Sequence, residues 1–527
     1  MEAALEKRLK RQVIGKPHLF LAVVPLGFEQ TLAEEIEFCN PQVVGDGKVE
    51  FTAKITEAWK AVAYTRIANR ILMHIADFKA ENFRELEKKA AEIPWELYLP
   101  CHPAAPSPRL TAVPGLRHTA VPSGTSVSTK QDMDSLAPTG LRNDVCTKDP
   151  HLNIHVTCKH SRLYHSDAVA ERLYNVIGES LHNCHSGAEG DRVKADGFPQ
   201  NLFVTLIDDR CTIWLDLAGE ELYKRGHERH VNDAPLKETI AAALLFEAIS
   251  TLHIIHHQSS IINYPLSIAL IDPMAGSGTF SLEAAYKASG LIPGVCRDFA
   301  LKHQPAFKPA TWNHIVTPKR NSSPDVTPKR NSSPDVTPKR EASPIVTPKR
   351  EAQVCPLAAI ATTDISERAI SIIRHNVECS PLANAPECGD APAISPQIKD
   401  FFSYTAEEIA RACSTPKAPG TPDSNGTLPA IVLNPPYGKR LDCDAPELYT
   451  QIGNKLSELA RNLKAMGKPL TVAILAPKDD TRGGAKYTCT ANLLRACPML
   501  DPAKNLQAKN IITSHGGLTL NTFIATL

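Results

Sequence analysis

The chain has 527 residues, 43% of them hydrophobic and 22% charged, and its 58 Lys+Arg against 57 Asp+Glu leave a formal charge of +1. Wholesale disorder would need fewer apolar residues and a larger net charge, and 42 prolines without a three-residue glycine period exclude a fibre. Near-neutrality also excludes a global pull toward nucleic acid, so any such binding must come from local patches.

At the N-terminus, Lys7, Arg8, Lys10 and Arg11 form a basic tip over residues 1–16. The apolar stretch Leu19–Leu26 that follows contains Pro25 and runs into Phe28-Glu29-Gln30 without a small-residue cleavage site, unlike a secretion signal. The longest apolar runs fall short of the ~20 residues a transmembrane helix needs, so a cytoplasmic protein with no membrane partner is expected. The 14 cysteines include no C-x-x-C, and the His182/His185 and His253/His256/His257 groups lack partner ligands at metal spacing. Neither a disulfide framework nor a bound metal is therefore expected.

Residues 17–217 read as short α+β units. Strand His18–Val24 precedes helix Phe28–Phe38, and strand Val49–Ala53 precedes a helix from Thr56. A second unit has strand Asn153–Cys158, helix Asp167–Ile177, and the strand pair Leu202–Asp208 and Cys211–Leu217. Between the units, residues 101–150 hold seven prolines and no Phe, Tyr or Trp, the composition of a disordered insertion. From residue 218 the rest of the chain alternates apolar strands with amphipathic helices. Helix Lys237–Ser250 leads to strand Ser267–Ile271, helix Thr279–Ser289, strand Ala358–Thr363 and helix Ser366–Cys379. Strand Ala430–Leu433, helix Glu447–Ala465 and strand Leu470–Leu475 follow. That pattern predicts an α/β, Rossmann-like, mostly parallel sheet covered on both faces, with ligands beyond the carboxyl ends of its strands. A second disordered insertion is expected over 316–353, where VTPKRNSSPD occurs twice, then VTPKREASPI, then VTPKR. Over the repeat itself, 316–350, eight Lys/Arg against three Asp/Glu make it basic, and two prolines per ten-residue unit leave no apolar face for a solenoid.

The segment IALIDPMAGSGTFSLEAAYKA reads as strand, turn and helix. Asp272 ends the strand, Gly276 and Gly278 allow a tight turn and close approach of a ligand, and Thr279 opens a helix whose N–H groups can receive an anion. Ser281 stands where a dinucleotide fingerprint has Gly or Ala, and the phosphate-loop lysine is missing, which disfavours nicotinamide cofactors and nucleoside triphosphates. The bland alternative is a glycine turn used for packing. Asp364 closes the next strand and can accept both ribose hydroxyls, or can serve only its helix dipole. Asp400, before Phe401, is suited to meet an adenine ring.

Asn434-Pro435-Pro436-Tyr437 follows strand Ala430–Leu433 directly. By composition such a tetrapeptide falls in roughly one such chain in a hundred. Two prolines stiffen the loop and leave carbonyls without competing N–H donors. The Asn434 amide oxygen and a proline carbonyl can then accept both hydrogens of an exocyclic NH2, with Tyr437 stacked on the ring that carries it. Accepting both hydrogens localises the nitrogen lone pair, so a sluggish amine becomes nucleophilic without a strong base. The alternative is a rigid surface turn.

Together, DPMAGSG, TTDIS and NPPYG resemble the class I S-adenosylmethionine-dependent amino methyltransferases. More closely, the chain resembles the bacterial 23S rRNA guanine-N2 methyltransferases that carry an N-terminal THUMP domain. VTCKHSRLYHSDAVAERL is similar to that domain, and ELYKRGHERHVNDAPLKETIAAALL to the segment joining it to the methyltransferase. The resemblance implies a ferredoxin-like/THUMP RNA-binding region over 17–217 and a methyltransferase domain over 218–527. It also implies a seven-stranded sheet whose last strand is reversed, with a final hairpin Asn510–Thr513 and Leu518–Leu527. The cofactor would be S-adenosyl-L-methionine, bound by Asp272, Met274, Ala275, Gly276, Gly278 and Thr279 at the methionine end. Asp364 and Ile365 would meet its ribose, Asp400 and Phe401 its adenine, and Asn434 its methyl end. Asn434, Pro435 and Tyr437 would carry catalysis. Ribosomal RNA would be the partner, met through Arg66, Arg70, Lys159, Arg162 and Arg172, with Lys88 and Lys89 nearby. The same residues leave open an adenine-N6 methyltransferase on RNA or DNA, a protein glutamine methyltransferase, and a non-catalytic assembly factor.

Overall fold

The structure, a computed structural model, describes residues 2–100, 151–183, 198–232, 235–258, 267–317, 357–383, 392–414, 427–437, 444–479 and 488–527. The proline-rich stretch 101–150 and the repeat from 318 onward lie outside the described residues, as do His185 and the side chains of His253, His256 and His257.

The first half begins with α1 (Glu2–Leu9) and a short π-helical turn, Lys10–Ile14. The basic tip is thus ordered where its apolar residues find the core: Leu9 and Val13 are buried. Next come β1 (Pro17–Val23), α2 (Glu29–Glu35), β2 (Gln42–Gly45), β3 (Lys48–Lys54), α3 (Ile55–Tyr64), β4 (Arg70–Lys79) and α4 (Phe83–Ala91). The second unit adds β5 (Leu152–Lys159), α5 (Ser166–Asn183), β6 (Gln200–Ile207) and β7 (Arg210–Asp216). All seven strands join one sheet in the order β2-β3-β1-β4-β7-β6-β5. The two units therefore fuse along β4 and β7, which pair antiparallel. Helices start where side chains satisfy their first N–H groups: Asn82 accepts from Glu85 N–H at the head of α4.

The second half contains α6 (Glu238–Gln258), β8 (Ser267–Asp272), α7 (Thr279–Ala288), α8 (Pro309–Val316), β9 (Leu357–Asp364), α9 (Glu367–Glu378), β10 (Gln397–Ile398), α10 (Ala406–Ala412), β11 (Thr427–Leu433), α11 (Ala445–Ala465), β12 (Thr471–Pro477), α12 (Cys489–Ala496), β13 (Lys509–His515) and β14 (Leu518–Thr526). Its sheet runs β10-β9-β8-β11-β12-β14-β13. The pairs from β10 through β12 are parallel, while β14 is antiparallel to both β12 and β13. Every residue of β8 is buried, as expected for a parallel strand covered by helices on both faces. Strand order reverses between β8 and β11, which brings the carboxyl ends of β8, β9 and β11 beside one crevice.

A buried ionic brace joins the halves. Glu283 on α7 meets Arg225 through two contacts of 2.9 and 3.1 Å, and Arg66 at 3.6 Å. Arg225 also donates to the Arg66 carbonyl, and Arg66 donates to the carbonyls of Tyr286 and Leu291. Elsewhere the Glu247 carboxylate accepts from Thr31 at 2.6 Å and from Lys509 at 2.9 Å. These contacts correct the expectation that Arg66 and Arg70 face RNA. Arg70 ion-pairs with buried Asp216 at 2.6 Å and donates to the Gly219 carbonyl. Both guanidiniums are largely withdrawn from water and engaged by carboxylates and carbonyls. Lys159, Arg162 and Arg172 stay exposed, the last two paired with Glu81 and Glu87.

Candidate active site

The glycine loop folds as its residues require. The Ala275 N–H donates to the Thr363 carbonyl, which ties the turn to β9, and the Gly278 N–H closes it onto the Ala275 carbonyl. Gly276 and Gly278 sit at φ +57° and +78°, in the left-handed region that a side chain disfavours. A Cβ at Gly278 would also come within 3.0 Å of Ile373. Asp364 braces the loop from the next strand. Its carboxylate accepts from Gly276 N–H and Ser366 N–H, both at 2.9 Å, with lone pairs remaining on each oxygen.

The loop opens onto a cavity of about 550 Å³. Met274, Ala275, Gly276 and Thr279 line one end; Asp364, Ile365, Asp400 and Phe401 line another; Asn434, Pro435, Pro436 and Tyr437 close the third side. Three strand ends, the first and last more than 150 residues apart in sequence, thus share one space of the size that small-molecule ligands fill. Ile365 is 72% exposed, an unusual position for an isoleucine and a natural apolar face for a flat ring. Tyr437 donates its hydroxyl proton to the Asn434 amide oxygen. That contact orients the amide, and burial pushes the Tyr437 phenol pKa up, so the hydroxyl remains a donor.

Two of the sequence-derived site residues stand behind the cavity wall. Gly278 shapes the turn from beneath. Asp272 is buried, its Oδ2 accepting from the Ser281 hydroxyl at 2.7 Å, while its Oδ1 has no partner among the described residues. Burial above all, helped by nearby Asp364, pushes its pKa up to about 7. The sequence reading also missed several cavity residues. Asn232, Pro235 and Leu236 come from the segment before α6, and His515, Gly516 and Leu518 from the final hairpin. The hairpin carries no chemical signal; Asn232 lies in a segment already singled out, yet nothing local marks it as a wall residue.

The sheet order, the glycine turn and the acidic strand ends together define a class I, Rossmann-like methyltransferase domain joined to an N-terminal α+β region. The cofactor of this class is S-adenosyl-L-methionine, and the residues fit it. Two positive-φ glycines leave a cradle for its amino-acid end, buried Asp272 Oδ1 awaits a donor below that cradle, Asp364 retains acceptor capacity for a ribose, and Ile365 and Phe401 offer apolar faces. When bound, that cofactor supplies an electrophilic methyl group on a sulfonium.

Comparison with known proteins narrows the class. Residues 19–72 match the RlmL ferredoxin-like domain, and residues 263–391 match the RMKL-like methyltransferase domain. The chain is 26% identical over 452 residues to "Ribosomal RNA large subunit methyltransferase K/L" of Allochromatium vinosum, covering 84% of this chain and 46% of that protein. It is 24% identical over 450 residues to "Putative RNA methyltransferase YpsC" of Bacillus subtilis, covering 84% and 86% respectively. The chain thus spans less than half the length of the K/L relative. Among solved structures, a possible methylase from Clostridium difficile 630 shares the fold with a TM-score of 0.59 at 20% identity, covering 97% of this chain and 98% of that one. SMU.472, a putative methyltransferase complexed with SAH, gives 0.58 at 18% identity with the same coverage. The chain is therefore similar to the bacterial class I methyltransferases that carry a THUMP-associated ferredoxin-like domain. Among the described residues, no helix is long and apolar enough to cross a membrane.

Proposed function

We propose that this chain transfers a methyl group from S-adenosyl-L-methionine to the exocyclic N2 amine of a guanine in 23S ribosomal RNA. The observation that carries the reading is the shared cavity: the Asn434–Tyr437 loop, the glycine turn and Asp364 all border one space of about 550 Å³. The Asn434 amide oxygen and the Pro435 carbonyl accept the two amine hydrogens, and Pro436 brings no N–H to compete. As the nitrogen lone pair localises, Tyr437 releases its hold on Asn434 and stacks against the base. Asn434 is neutral and takes no proton; the proton leaves nitrogen after transfer. A base inside a duplex cannot enter the cavity, so the target is single-stranded or flipped out. Residues 17–217 hold the RNA by shape and phosphate contacts, using exposed Lys159, Arg162 and Arg172. Residues 218–527 hold the cofactor.

The loop accepts any exocyclic NH2, so adenine N6 is the nearest competitor. Offering labelled S-adenosylmethionine to ribosomal RNA, DNA and a protein lysate, then identifying the labelled nucleoside by mass spectrometry, tests the reading. N2-methylguanine from ribosomal RNA is expected. N6-methyladenine would overturn the choice of base, label in protein the choice of substrate, and no label anywhere the assignment of an enzyme.

A further inference from the structure

We propose a zinc site outside the cavity, made by Glu228, His375 and Cys379. His375 and Cys379 lie one helical turn apart at the end of α9, so both side chains leave the same face. Glu228 arrives from the extended segment that connects the two halves of the chain. The Cys379 sulfur lies 3.6 Å from His375 Nε2, and Glu228 Oε1 lies 3.9 Å from the same nitrogen. One ligand atom from each of the three falls within 4.8 Å of the others. Tetrahedral zinc, with bonds of about 2.0–2.3 Å, requires its donors to stand roughly 3.3–3.7 Å apart, so the three need only small side-chain turns to close on an ion. A thiolate and a carboxylate balance the two positive charges, with a neutral imidazole as third ligand and the fourth position open to water.

A chance meeting of surface groups would lack a frame, and here there is one. Asn376, fully buried and next to His375, accepts from the His230 N–H at 2.8 Å and donates to the His230 carbonyl at 2.9 Å. That two-way clamp fixes the backbone of the connecting segment against α9 at the level of the cluster. His230 then stacks on the His375 ring at 3.8 Å and points its Nε2 at Glu228, 3.5 Å away. It supplies the outer contact that orients a carboxylate ligand. The ion would hold the connecting segment where Arg229 donates to Ser277 and Thr279 of the glycine loop. Sequence spacing alone hides the site, because its ligands come from two segments far apart in the chain.

The test uses the full chain, stripped with a chelator and titrated with Co²⁺ as a zinc surrogate. One equivalent is expected to give tetrahedral d–d absorption and a near-ultraviolet sulfur-to-cobalt charge-transfer band, both erased by Zn²⁺. Cys379→Ser should remove the charge-transfer band. His375→Ala, which keeps every thiol, should weaken Zn²⁺ binding by roughly tenfold or more. Cys296→Ser, which removes an exposed thiol that is not one of the three ligands, should leave both signals unchanged. A charge-transfer band that survives Cys379→Ser, Zn²⁺ binding unchanged in His375→Ala, or no saturable one-to-one step would overturn the site. Circular dichroism of each variant separates loss of ligand from loss of fold.

Discussion

Replacing Glu283 with Gln keeps the shape of the central carboxylate, removes its charge and turns one acceptor oxygen into a donor. In the folded chain that charge faces Arg225 at 2.9 and 3.1 Å and Arg66 at 3.6 Å, with side-chain exposures of 1%, 3% and 13% for the carboxylate and the two arginines in turn. At the effective dielectric suited to buried sites, one pair at that range is worth about 4 kcal/mol. Without it, the two guanidiniums keep backbone carbonyls as hydrogen-bond partners and Arg66 keeps the field of Glu35, while the amide turns a donor toward one of the guanidiniums. The carbonyls of Leu222, Arg66, Tyr286 and Leu291 recover part of the loss. Breaking such a pair on one side costs about 3–5 kcal/mol, and the carbonyls put this case near the lower end. Urea unfolding followed by tryptophan fluorescence measures it, as a fall in midpoint at unchanged slope. A loss below about 1 kcal/mol would mean that water reaches the cluster and that it braces nothing.

Three further changes probe the cavity and its floor. Asn434→Ala should lower turnover by roughly 10²–10³ while cofactor affinity stays within about three-fold, read by single-turnover kinetics and calorimetry; retained activity would remove the amide oxygen from the chemistry. Asp364→Ala should do the reverse, weakening cofactor binding more than the chemical step, because it takes away both the ribose acceptor and the carboxylate that holds Gly276 N–H. Asp272→Asn should alter the pH dependence of stability. The folded carboxyl keeps its proton up to about pH 7, whereas an unfolded aspartate releases it near 3.9. The stability of the protonated state is thus fully present below about pH 4 and is lost as pH rises through 7. The asparagine variant should gain on the native chain in melting temperature between about pH 4 and pH 7, with the difference levelling off above 7; a difference that does not change over that interval would refute the shift.

The parts of this protein that its sequence determined are those whose reasons are local. A turn that needs positive φ takes glycine, a loop that must present bare carbonyls takes two prolines, and a strand buried on both faces is written as an apolar run. The glycine turn, the Asn434–Tyr437 loop and the parallel sheet were legible for those reasons. β4 was not, although it lies at the centre of the first sheet, because a bulge between His74 and Ala76 breaks the alternation that marks a strand. Nor could the sequence say which arginines meet solvent. Arg66 and Arg70 look like any basic surface pair until Glu283 and Asp216 fold against them. Charge is a property of a residue, but its role depends on what water can still reach, and only the packed chain decides that.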